Sequence, residues 1–449
     1  MSPHAVDAQV VDVIIVGAGI AGLAAALAIH GAGHRVTIVE GASVLREIGA
    51  GVLISSNATR ELLRWGLEED LRDVIVQSRV SRVLRWDDGK VLSEVHMDPS
   101  LALKKYAAPV WMLHRADLHT AMLKKVQSLG IEIRLGSRVV DADVVKASVT
   151  LASGEVLDSD FIVGADGVRS RMRDIISQKP VPALPTGDYA FQFALEIEQY
   201  KDDPVIAPLV EGHAATAWWG PGRHVIGTLL RGEKLFNCVA VFPDDGSLGD
   251  EHKQLGADVD ELRRNFSDWC PAVRTILFHA NPGSIVKWKL QDLDPLDSWH
   301  RGHAVLIGDA CHPMLPYLAQ GASQAIEDGA VLAECLAHLP LDRVGPAFQD
   351  LRVSRATQIQ QNARKQKIEN HYPDGPEQRA RDERLKDPTQ VRAWQWEPVA
   401  GRTTKSWSDG LFGYDSKVEC EEYFREHDAG RLFEDFRCWH SSIGREYKT

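Results

Sequence analysis

The stretch VIIVGAGIAGLAAALAI, residues 13–29, is an uncharged apolar run that contains three closely spaced glycines. The glycines form the pattern GxGxxG and are Gly17, Gly19 and Gly22. They follow a β-type run over residues 10–16 and precede an Ala/Leu-rich helical run. A second β-type segment, HRVTIVE, ends in Glu40, at the spacing where an acidic side chain can reach a ribose hydroxyl. The sequence therefore predicts a complete βαβ unit that binds a dinucleotide.

Each glycine has a separate physical role in such a unit. Gly17 permits the tight turn, Gly19 lets the backbone approach a pyrophosphate, and Gly22 lets helix and strand pack closely. The N-terminus of the following helix supplies unpaired N–H groups and the positive end of its dipole. These features favour a phosphate-bearing ligand at the turn.

A membrane span and a secretion signal both fit the apolar run less well. A membrane span needs about 20 predominantly apolar residues, whereas this run is shorter and directly follows Asp12. A secretion signal needs a basic first segment, and MSPHAVDAQVVD contains no Lys or Arg. We therefore expect no membrane span and a cytoplasmic location.

Composition narrows the classes of partner and of metal chemistry. The 449 residues suffice for two or three domains. The formal net charge of -12 argues against nucleic acid or an anionic membrane surface as the main partner, because both attract a basic face. The six cysteines form no CxxC pair and the 17 histidines show no metal-binding spacing. We expect reduced thiols and no catalytic metal.

Strand and helix patterns divide the chain into four regions. Residues 1–180 and 290–370 carry the nucleotide-type pattern and form two parts of one predicted domain. Residues 181–289 alternate strand-like stretches with turns, which predicts an inserted antiparallel sheet. Residues 371–449 form a C-terminal region that covers the substrate entrance, packs on the body or forms a dimer contact. The aromatic residues of this last region are Trp394, Trp396, Trp407, Tyr414, Phe424 and Trp439.

Two further motifs place ligand-type residues at strand ends. In DFIVGADGVRSRMR, residues 160–173, a buried-type strand leads into a turn that contains Asp166. In AVLIGDACHPMLPYLAQGASQAIEDG, residues 304–329, a β-run delivers Asp309 at its carboxyl end, and small residues open a helix. Open α/β sheets bind their ligands at the carboxyl ends of the strands. Both motifs are therefore predicted to touch the ligand of the glycine turn.

Together the three motifs resemble those of the flavin-dependent aromatic hydroxylases, which are single-component FAD monooxygenases with the p-hydroxybenzoate hydroxylase fold. The salicylate hydroxylase branch, and fungal members in particular, is the most similar. Further matching strings are REIGAGV, HRADLH, GPGRHV and LFGYDS.

The resemblance implies an α/β protein with a Rossmann-like FAD-binding domain, an inserted antiparallel-sheet substrate domain and a helical C-terminal region. It implies FAD as the cofactor and NADPH or NADH as the reductant. Reduced flavin would capture O2 as a C4a-hydroperoxide, from which one oxygen atom passes to an electron-rich aromatic substrate. The implied partners are small molecules, and the chain is expected to be a monomer or a homodimer.

The resemblance also assigns cofactor contacts to individual residues. Glu40 would bind the adenosine ribose, and Arg115 the FAD phosphate or ribityl region. Asp309 would bind the ribityl chain, and Asp166 belongs to a motif that serves both FAD and the nicotinamide cofactor.

Other residues would surround the reaction face of the flavin. The amides of Gly321 and Ala322 would face the N1/C2 carbonyl edge and stabilise negative charge on reduced flavin. Pro316 matches the family proline whose carbonyl lies near this face. Arg46 and the turn that ends at Gly51 match the segment along which the isoalloxazine ring moves.

The match fails at two positions of the predicted substrate sheet. Relatives that hydroxylate phenols commonly carry Arg where this chain has Gln192, and Tyr where it has Thr228. The usual cation and phenolic donor for a phenolate are therefore missing. Arg223, His224 and Arg231 are candidates to compensate from the same sheet, and each is equally well explained as a surface or structural residue.

An aromatic ring that is already electron-rich needs no ionised phenol, and indole is the obvious example. We therefore favour indole 2,3-epoxidation or polycyclic aromatic hydroxylation in fungal secondary metabolism, with Gln192 near the reacting ring and Thr228 as a substrate contact. Aromatic residues of the sheet suit a large flat ligand, although core packing explains them as well. They are Phe191, Phe193, Trp218 and Trp219, of which Phe193 and Trp219 are the predicted contacts.

Three alternatives stay open. The first is a salicylate-type phenol hydroxylase, and the second is a flavin oxidoreductase that does not oxygenate its substrate. The third is a redox-inactive binding module of the same fold.

Overall fold

The structure is a computed structural model, and it describes residues 10–45, 51–96, 98–211, 213–249, 253–387, 395–396 and 405–427. In chain order, the strands are β1 (Asp12–Val16), β2 (Arg35–Val39), β3 (Gly51–Ile54), β4 (Val80–Arg85), β5 (Val91–His96), β6 (Trp111–His114), β7 (Glu132–Arg134), β8 (Val139–Asp143), β9 (Ser148–Leu151), β10 (Val156–Asp158), β11 (Phe161–Gly164), β12 (Leu184–Glu196), β13 (Ala214–Gly220), β14 (Arg223–Leu230), β15 (Leu235–Pro243), β16 (Lys253–Leu255), β17 (Val286–Asp292), β18 (His300–Arg301), β19 (Ala304–Leu306), β20 (Gln395–Trp396) and β21 (Lys405–Ser406). The α-helices are α1 (Ile20–Gly31), α2 (Ser56–Arg64), α3 (Glu68–Leu71), α4 (Pro99–Tyr106), α5 (Arg115–Ser128), α6 (Arg171–Ser177), α7 (Ala207–Val210), α8 (Val259–Asn265), α9 (Pro271–Phe278), α10 (Gly321–His338), α11 (Leu341–Asn370), α12 (Pro376–Leu385), α13 (Trp407–Phe412) and α14 (Ser416–His427).

A six-stranded sheet forms the centre of the first domain. Its order is β18-β19-β11-β1-β2-β7, and every neighbouring pair is parallel except β18 with β19. Ile15 in the middle of β1 pairs with Ile38 of β2 on one side and Val163 of β11 on the other. The three predicted motifs follow β1, β11 and β19, so their loops meet at one edge of this sheet. The predicted α/β architecture is confirmed.

The apolar run 13–29 becomes β1, the glycine turn and most of α1. Helix α1 is buried from Ile20 to Ile29 apart from Ala21, because α5 and α10 pack against it as well as the sheet. The approach to α10 is close, since a Cβ on Gly329 would lie 2.7 Å from the Ala25 nitrogen. The run is therefore a buried core strand and helix joined by the glycine turn, and none of the helices that the structure describes is long and apolar enough to cross a membrane.

An eight-stranded sheet forms the second layer, in the order β16-β17-β12-β15-β14-β13-β4-β5. Neighbours are antiparallel except β13 with β4. Most of it comes from the predicted insertion 181–289. Strands β4 and β5 lie within the region 1–180, yet they extend this sheet rather than the parallel one.

The two faces of the eight-stranded sheet have different neighbours. One face carries Phe191, Phe193 and Trp218, which form a core cluster with residues of α8 and α9. The opposite face carries Ala190 and Val241, which pack on the loop after β19, on α11 and on α13. The second face therefore points toward the sequence motifs, and the first does not.

Candidate active site

The glycine turn has the geometry that close backbone packing requires. A Cβ on Gly22 would lie 1.9 Å from the carbonyl oxygen of Gly17. Gly17 has φ +110°, and a Cβ there would lie 2.4 Å from the Ala165 oxygen. A Cβ on Gly19 meets nothing within 4 Å. Two glycines are thus demanded by packing, while Gly19 leaves open space at the helix N-terminus where a phosphate group fits.

A cavity of about 410 Å³ lies at this turn. Both oxygens of Glu40 are held by backbone amides: Ala18 donates at 2.8 Å and Ala42 at 2.7 Å. His119 supports the turn from below, because its Nε2 donates to the Ala18 carbonyl at 2.8 Å. The cavity is also lined by the cationic side chains Arg138, Arg169 and Arg171. An acid on the sugar side and cations around it suit the adenosine and phosphate groups of a dinucleotide.

Asp166 of the second motif lines the same cavity. Its carboxylate accepts hydrogen bonds from the Ser170 hydroxyl and from the amides of Arg171 and Met172. Burial raises its pKa despite these donors. The structure therefore brings Asp166 together with Glu40 and the glycines.

Asp309 of the third motif is exposed, although its neighbours Gly308 and Ala310 are buried. The Gly308 amide donates to Asp328 at 2.8 Å, which fixes the turn that presents Asp309. Asp328 also accepts from His312 at 2.6 Å and from Arg352 at 2.7 Å. Burial opposes its charge, yet His312 and Arg352 hold the pKa of Asp328 at about 2.

The potential ligand atoms of Cys311, His312 and Asp328 lie within 4.8 Å of one another, which is close enough to hold a metal ion. The donor set does not suit one, because Asp328 is already bonded to an amide, an imidazole and a guanidinium. Burial raises the pKa of Cys311 well above its usual value, which favours the thiol over the thiolate that binds metals. We interpret the group as a support for the Asp309 turn.

Helix α10 begins at Gly321, beside the exposed Pro316. Among the described residues a Cβ on Gly321 would meet only Met314, at 3.9 Å, so the start of the helix is uncrowded on that side, and the adjoining Ala322 is only partly buried. One turn further along the helix, Glu327 is fully buried and is bonded by Arg352, Arg355 and Asn57. This set of charges anchors the helix whose N-terminus opens toward the site.

Gln192 and Thr228 are linked by a residue that the sequence motifs did not include. Gln192 Nε2 donates to Asn237 Oδ1 at 2.7 Å, and Asn237 Nδ2 donates to Thr228 Oγ1 at 3.2 Å. All three are buried, on neighbouring strands β12, β15 and β14. We call Gln192, Asn237 and Thr228 the polar relay. A Cβ on Gly51 would lie 3.1 Å from Asn237 Nδ2, so Gly51 covers the relay closely.

The aromatic residues predicted to contact the substrate do not gather at this relay. Phe193 points to the opposite face of the sheet, because it directly follows Gln192 in a strand, and it packs in the core cluster with Trp218. Trp219 lies on the relay face but packs on Leu385 of α12, under the Arg381 guanidinium at 5.5 Å. Side chains alternate along each strand, so a single pocket cannot contain all four predicted aromatic residues.

Partly exposed apolar side chains do surround the relay face. They come from β15, β17, the loop that carries Pro316, and α13, and are Val239, Trp288, Met314 and Phe412. Val239 is the direct strand partner of Gln192. Neither Trp288 nor Phe412 was singled out from sequence, since the face that Trp288 takes depends on strand register and the position of Phe412 depends on how α13 packs on the sheet.

The three residues predicted to compensate for Gln192 and Thr228 are engaged elsewhere. Arg223 forms an ion pair with Asp268 at 2.8 Å. Arg231 pairs with Asp117 at 3.0 Å, at the start of α5. His224 Nδ1 lies 2.8 Å from Nε2 of His371. Their packing therefore favours a structural role for each.

The buried His224–His371 pair predicts a loss of stability in acid. Burial lowers the pKa of His224 to about 3, and burial together with His224, Lys367 and Arg381 lowers that of His371 to about 2. Both rings are neutral in the fold, whereas unfolded histidine binds a proton below about pH 6.5. The free energy of unfolding should therefore fall, by up to about 1.4 kcal/mol per pH unit for each ring, below that pH. In urea unfolding at several pH values, the free energy of unfolding of His371→Asn should decline less steeply toward acid pH than that of the wild type. The exposed control His96→Asn should decline as steeply as the wild type.

Several predicted residues remain to be placed. Arg115 begins α5 directly after His114, the strand partner of Gly51. Arg46, Trp394 and Trp439 lie outside the described residues, as does the side chain of Trp396. Trp407, Tyr414 and Phe424 are buried against the body, with Tyr414 under the Arg355 guanidinium at 3.9 Å.

Known proteins are similar in sequence to most of this chain. The family model described as "FAD binding domain" matches residues 10–366. FAD-dependent monooxygenase OpS4 of Beauveria bassiana (strain ARSEF 2860) is 36% identical over 414 residues, which cover 90% of this chain and 95% of that protein. The 3-amino-4-hydroxybenzoate 2-monooxygenase of Streptomyces cremeus is 32% identical over 401 residues, covering 87% of this chain and 96% of that protein.

Solved structures show the same fold. A crystal structure of CtdE in complex with FAD and substrate 4 has a TM-score of 0.79 at 24% identity, covering 93% of this chain and 98% of that one. A salicylate hydroxylase substrate complex has a TM-score of 0.74 at 23% identity, covering 92% and 98%. The family model and the relatives confirm the expected family and FAD as its cofactor: this chain belongs to the FAD-dependent monooxygenases.

Proposed function

We propose that the protein uses NADPH or NADH and O2 to insert one oxygen atom into an uncharged, electron-rich aromatic substrate. A bulky indole or polycyclic ring is the favoured class. The observation that carries this choice is the polar relay, which has neither the cation nor the phenol that relatives use for a phenolate. The partly exposed apolar side chains of Trp288, Met314 and Phe412, which pack on the same face of the sheet, support a large flat ligand.

The residues around the glycine turn fit FAD. In this proposal Glu40 and Asp166 bind at the adenosine end, Arg115 and Asp309 bind the phosphate and ribityl region, and the start of α10 faces the flavin ring. Bound FAD supplies the redox and oxygen chemistry. The amides of Gly321 and Ala322, with the positive end of the helix dipole, stabilise negative charge on the ring.

The chain has three further tasks in the proposed reaction. The apolar side chains of Val239, Trp288, Met314 and Phe412, together with Gly51, keep water away from the reacting groups. Pro316, exposed between the sheet and α10, borders the space where ring and substrate meet. The relay orients the substrate.

The cytoplasmic location and the monomeric or homodimeric state of the protein stay predictions.

A substrate panel tests the proposed class. The FAD-loaded protein should oxidise NADPH or NADH faster in the presence of a prenylated or tryptophan-derived indole than without it. Salicylate should cause little acceleration. Conversion of salicylate to catechol at a rate above that of the indole would contradict the proposed class.

A carboxylated phenol is the second candidate. The relative from Streptomyces cremeus is named for such a substrate, 3-amino-4-hydroxybenzoate. Under this candidate a cation outside the relay would have to hold the carboxylate, and the same panel distinguishes the two classes.

A further inference from the structure

We infer that Asn237 is a specificity-determining residue, because it joins Gln192 and Thr228 into a hydrogen-bonding edge that selects uncharged ligands over their carboxylate analogues. This inference deepens the proposed function, since it names the property of the substrate that the site recognises. It rests on the connectivity of the relay, on its neighbours in the sheet and on its position.

The hydrogen bonds within the relay leave defined groups for a ligand. Gln192 uses one Nε2 hydrogen on Asn237, and Asn237 uses one Nδ2 hydrogen on Thr228. Thr228 Oγ1 accepts that bond and keeps its own O–H as a donor. Within the described part of the chain, neither this O–H nor Gln192 Oε1 makes a further hydrogen bond. The relay thus leaves the Thr228 O–H and the second amide hydrogens of Gln192 and Asn237 as donors and Gln192 Oε1 as an acceptor, which suits a ring edge with a carbonyl or hydroxyl and an N–H.

Asn237 is necessary for this arrangement because it stands between the other two. Thr228 on β14 is the direct strand partner of Asn237. Gln192 lies on β12, two residues from the direct partner of Asn237 and therefore diagonal to it. The Asn237 amide accepts a hydrogen bond from Gln192 and donates one to Thr228, so it fixes the donor-to-acceptor direction of both hydrogen bonds. Its substitution would release both outer side chains at once.

The surroundings of the relay disfavour an anion. The side chains two positions before and after each relay member share its face of the sheet. All of them are apolar: Ala190, Ala194, Leu235, Val239, Ile226 and Leu230. A carboxylate bound here would gain no counterion from these positions, and burying an unpaired charge is costly. Arg223 and Arg231 of the same strand region are already paired with Asp268 and Asp117.

Isosteric ligand pairs separate charge from ring type. We would titrate oxidised, FAD-loaded protein by calorimetry with indole-3-carboxamide against indole-3-carboxylate, and with salicylamide against salicylate. Each pair differs in charge while shape is nearly unchanged. The amide should bind at least about tenfold more tightly than the carboxylate in the better pair, because a tenfold change in affinity corresponds to about the net free energy of one hydrogen bond.

Four variants connect that preference to the relay. Thr228→Val and Asn237→Leu should each weaken amide binding, by about 2- to 12-fold. Gln192→Arg should reverse the preference within a pair, because it supplies a cation to the carboxylate. Thr216→Val is the matched control: Thr216 is buried on the opposite face of the same sheet, and its hydroxyl has no hydrogen-bond partner in the part of the chain that the structure describes. Its affinity for the amides should equal that of the wild type.

The outcomes are distinct. If the carboxylate binds as tightly as the amide in both pairs, if no amide binds at millimolar concentration, or if Thr228→Val matches Thr216→Val, the inference is wrong. Misfolding of Asn237→Leu alone decides nothing against it, because Thr228→Val keeps the Gln192–Asn237 bond. Since binding is measured without turnover, a protein that prefers amides but does not oxygenate them would refute the proposed function and leave this inference intact.

Discussion

Replacing Gly22 with alanine is expected to give a protein that does not retain FAD. The added Cβ would lie 1.9 Å from the Gly17 carbonyl oxygen and 3.4 Å from Ile15. The Gly17 backbone cannot yield without moving the turn, so the amides of the turn would lose the arrangement in which they meet a phosphate. The measurement is the flavin absorbance that co-purifies with the protein, followed by titration with added FAD.

The matched control for this variant lies in the same helix. Gly31 ends α1, and a Cβ there meets nothing within 4 Å. Gly31→Ala should therefore bind FAD normally and gain up to about 1 kcal/mol of helix propensity. If Gly22→Ala retained flavin as well as Gly31→Ala does, the proposed role of the turn would be wrong.

Replacing Arg352 with methionine is expected to cost about 3–5 kcal/mol of unfolding free energy. Arg352 is fully buried and bonds both Asp328, at 2.7 Å, and Glu327. Its removal leaves two buried carboxylates short of their cation. Because Asp328 also holds the Gly308 amide, the turn that presents Asp309 should loosen, and FAD affinity should fall with stability.

Urea unfolding of the FAD-loaded protein measures the first effect. Arg72→Met provides the control, since among the described residues Arg72 pairs only with exposed Glu69 and its own side chain is 63% exposed. That exposed pair should contribute no more than about 1 kcal/mol. Equal losses in the two variants would show that the buried charges do not anchor the site.

The residues proposed to bind the cofactor lie directly after strands that the sequence pattern predicts, and this explains why their assembly at one sheet edge was predictable. Gly17, Glu40, Asp166 and Asp309 each follow a strand of the parallel sheet, so their order along the chain already fixes the sheet edge at which they meet. The positions of these residues relative to the predicted strands were enough to predict that they group at one sheet edge.

The substrate half depends on strand register, which the sequence does not reveal. Asn237 joins the site only because β15 lies between β12 and β14. Phe193 was predicted to share a pocket with Gln192, although neighbouring residues of one strand must face opposite sides. That alternation is the sequence signal that separates these two side chains.

Long-range partners were also beyond the sequence. Strands β4 and β5 join the eight-stranded sheet from a position before the second motif, across a parallel pairing with β13. Arg352 and Asp328 are separated by a helix boundary and meet only because α11 packs on α10. Such contacts arise from tertiary packing, which no local pattern encodes.

We propose that this protein transfers one oxygen atom from O2 to an uncharged aromatic ring. The most direct measurement is product mass after turnover of the FAD-loaded protein with NADPH or NADH and a tryptophan-derived indole under oxygen-18 gas. We predict a product that carries one labelled oxygen atom, and no label from oxygen-18 water used with ordinary O2. A product without label from the gas, with NADPH or NADH oxidised to give only hydrogen peroxide, would contradict the account.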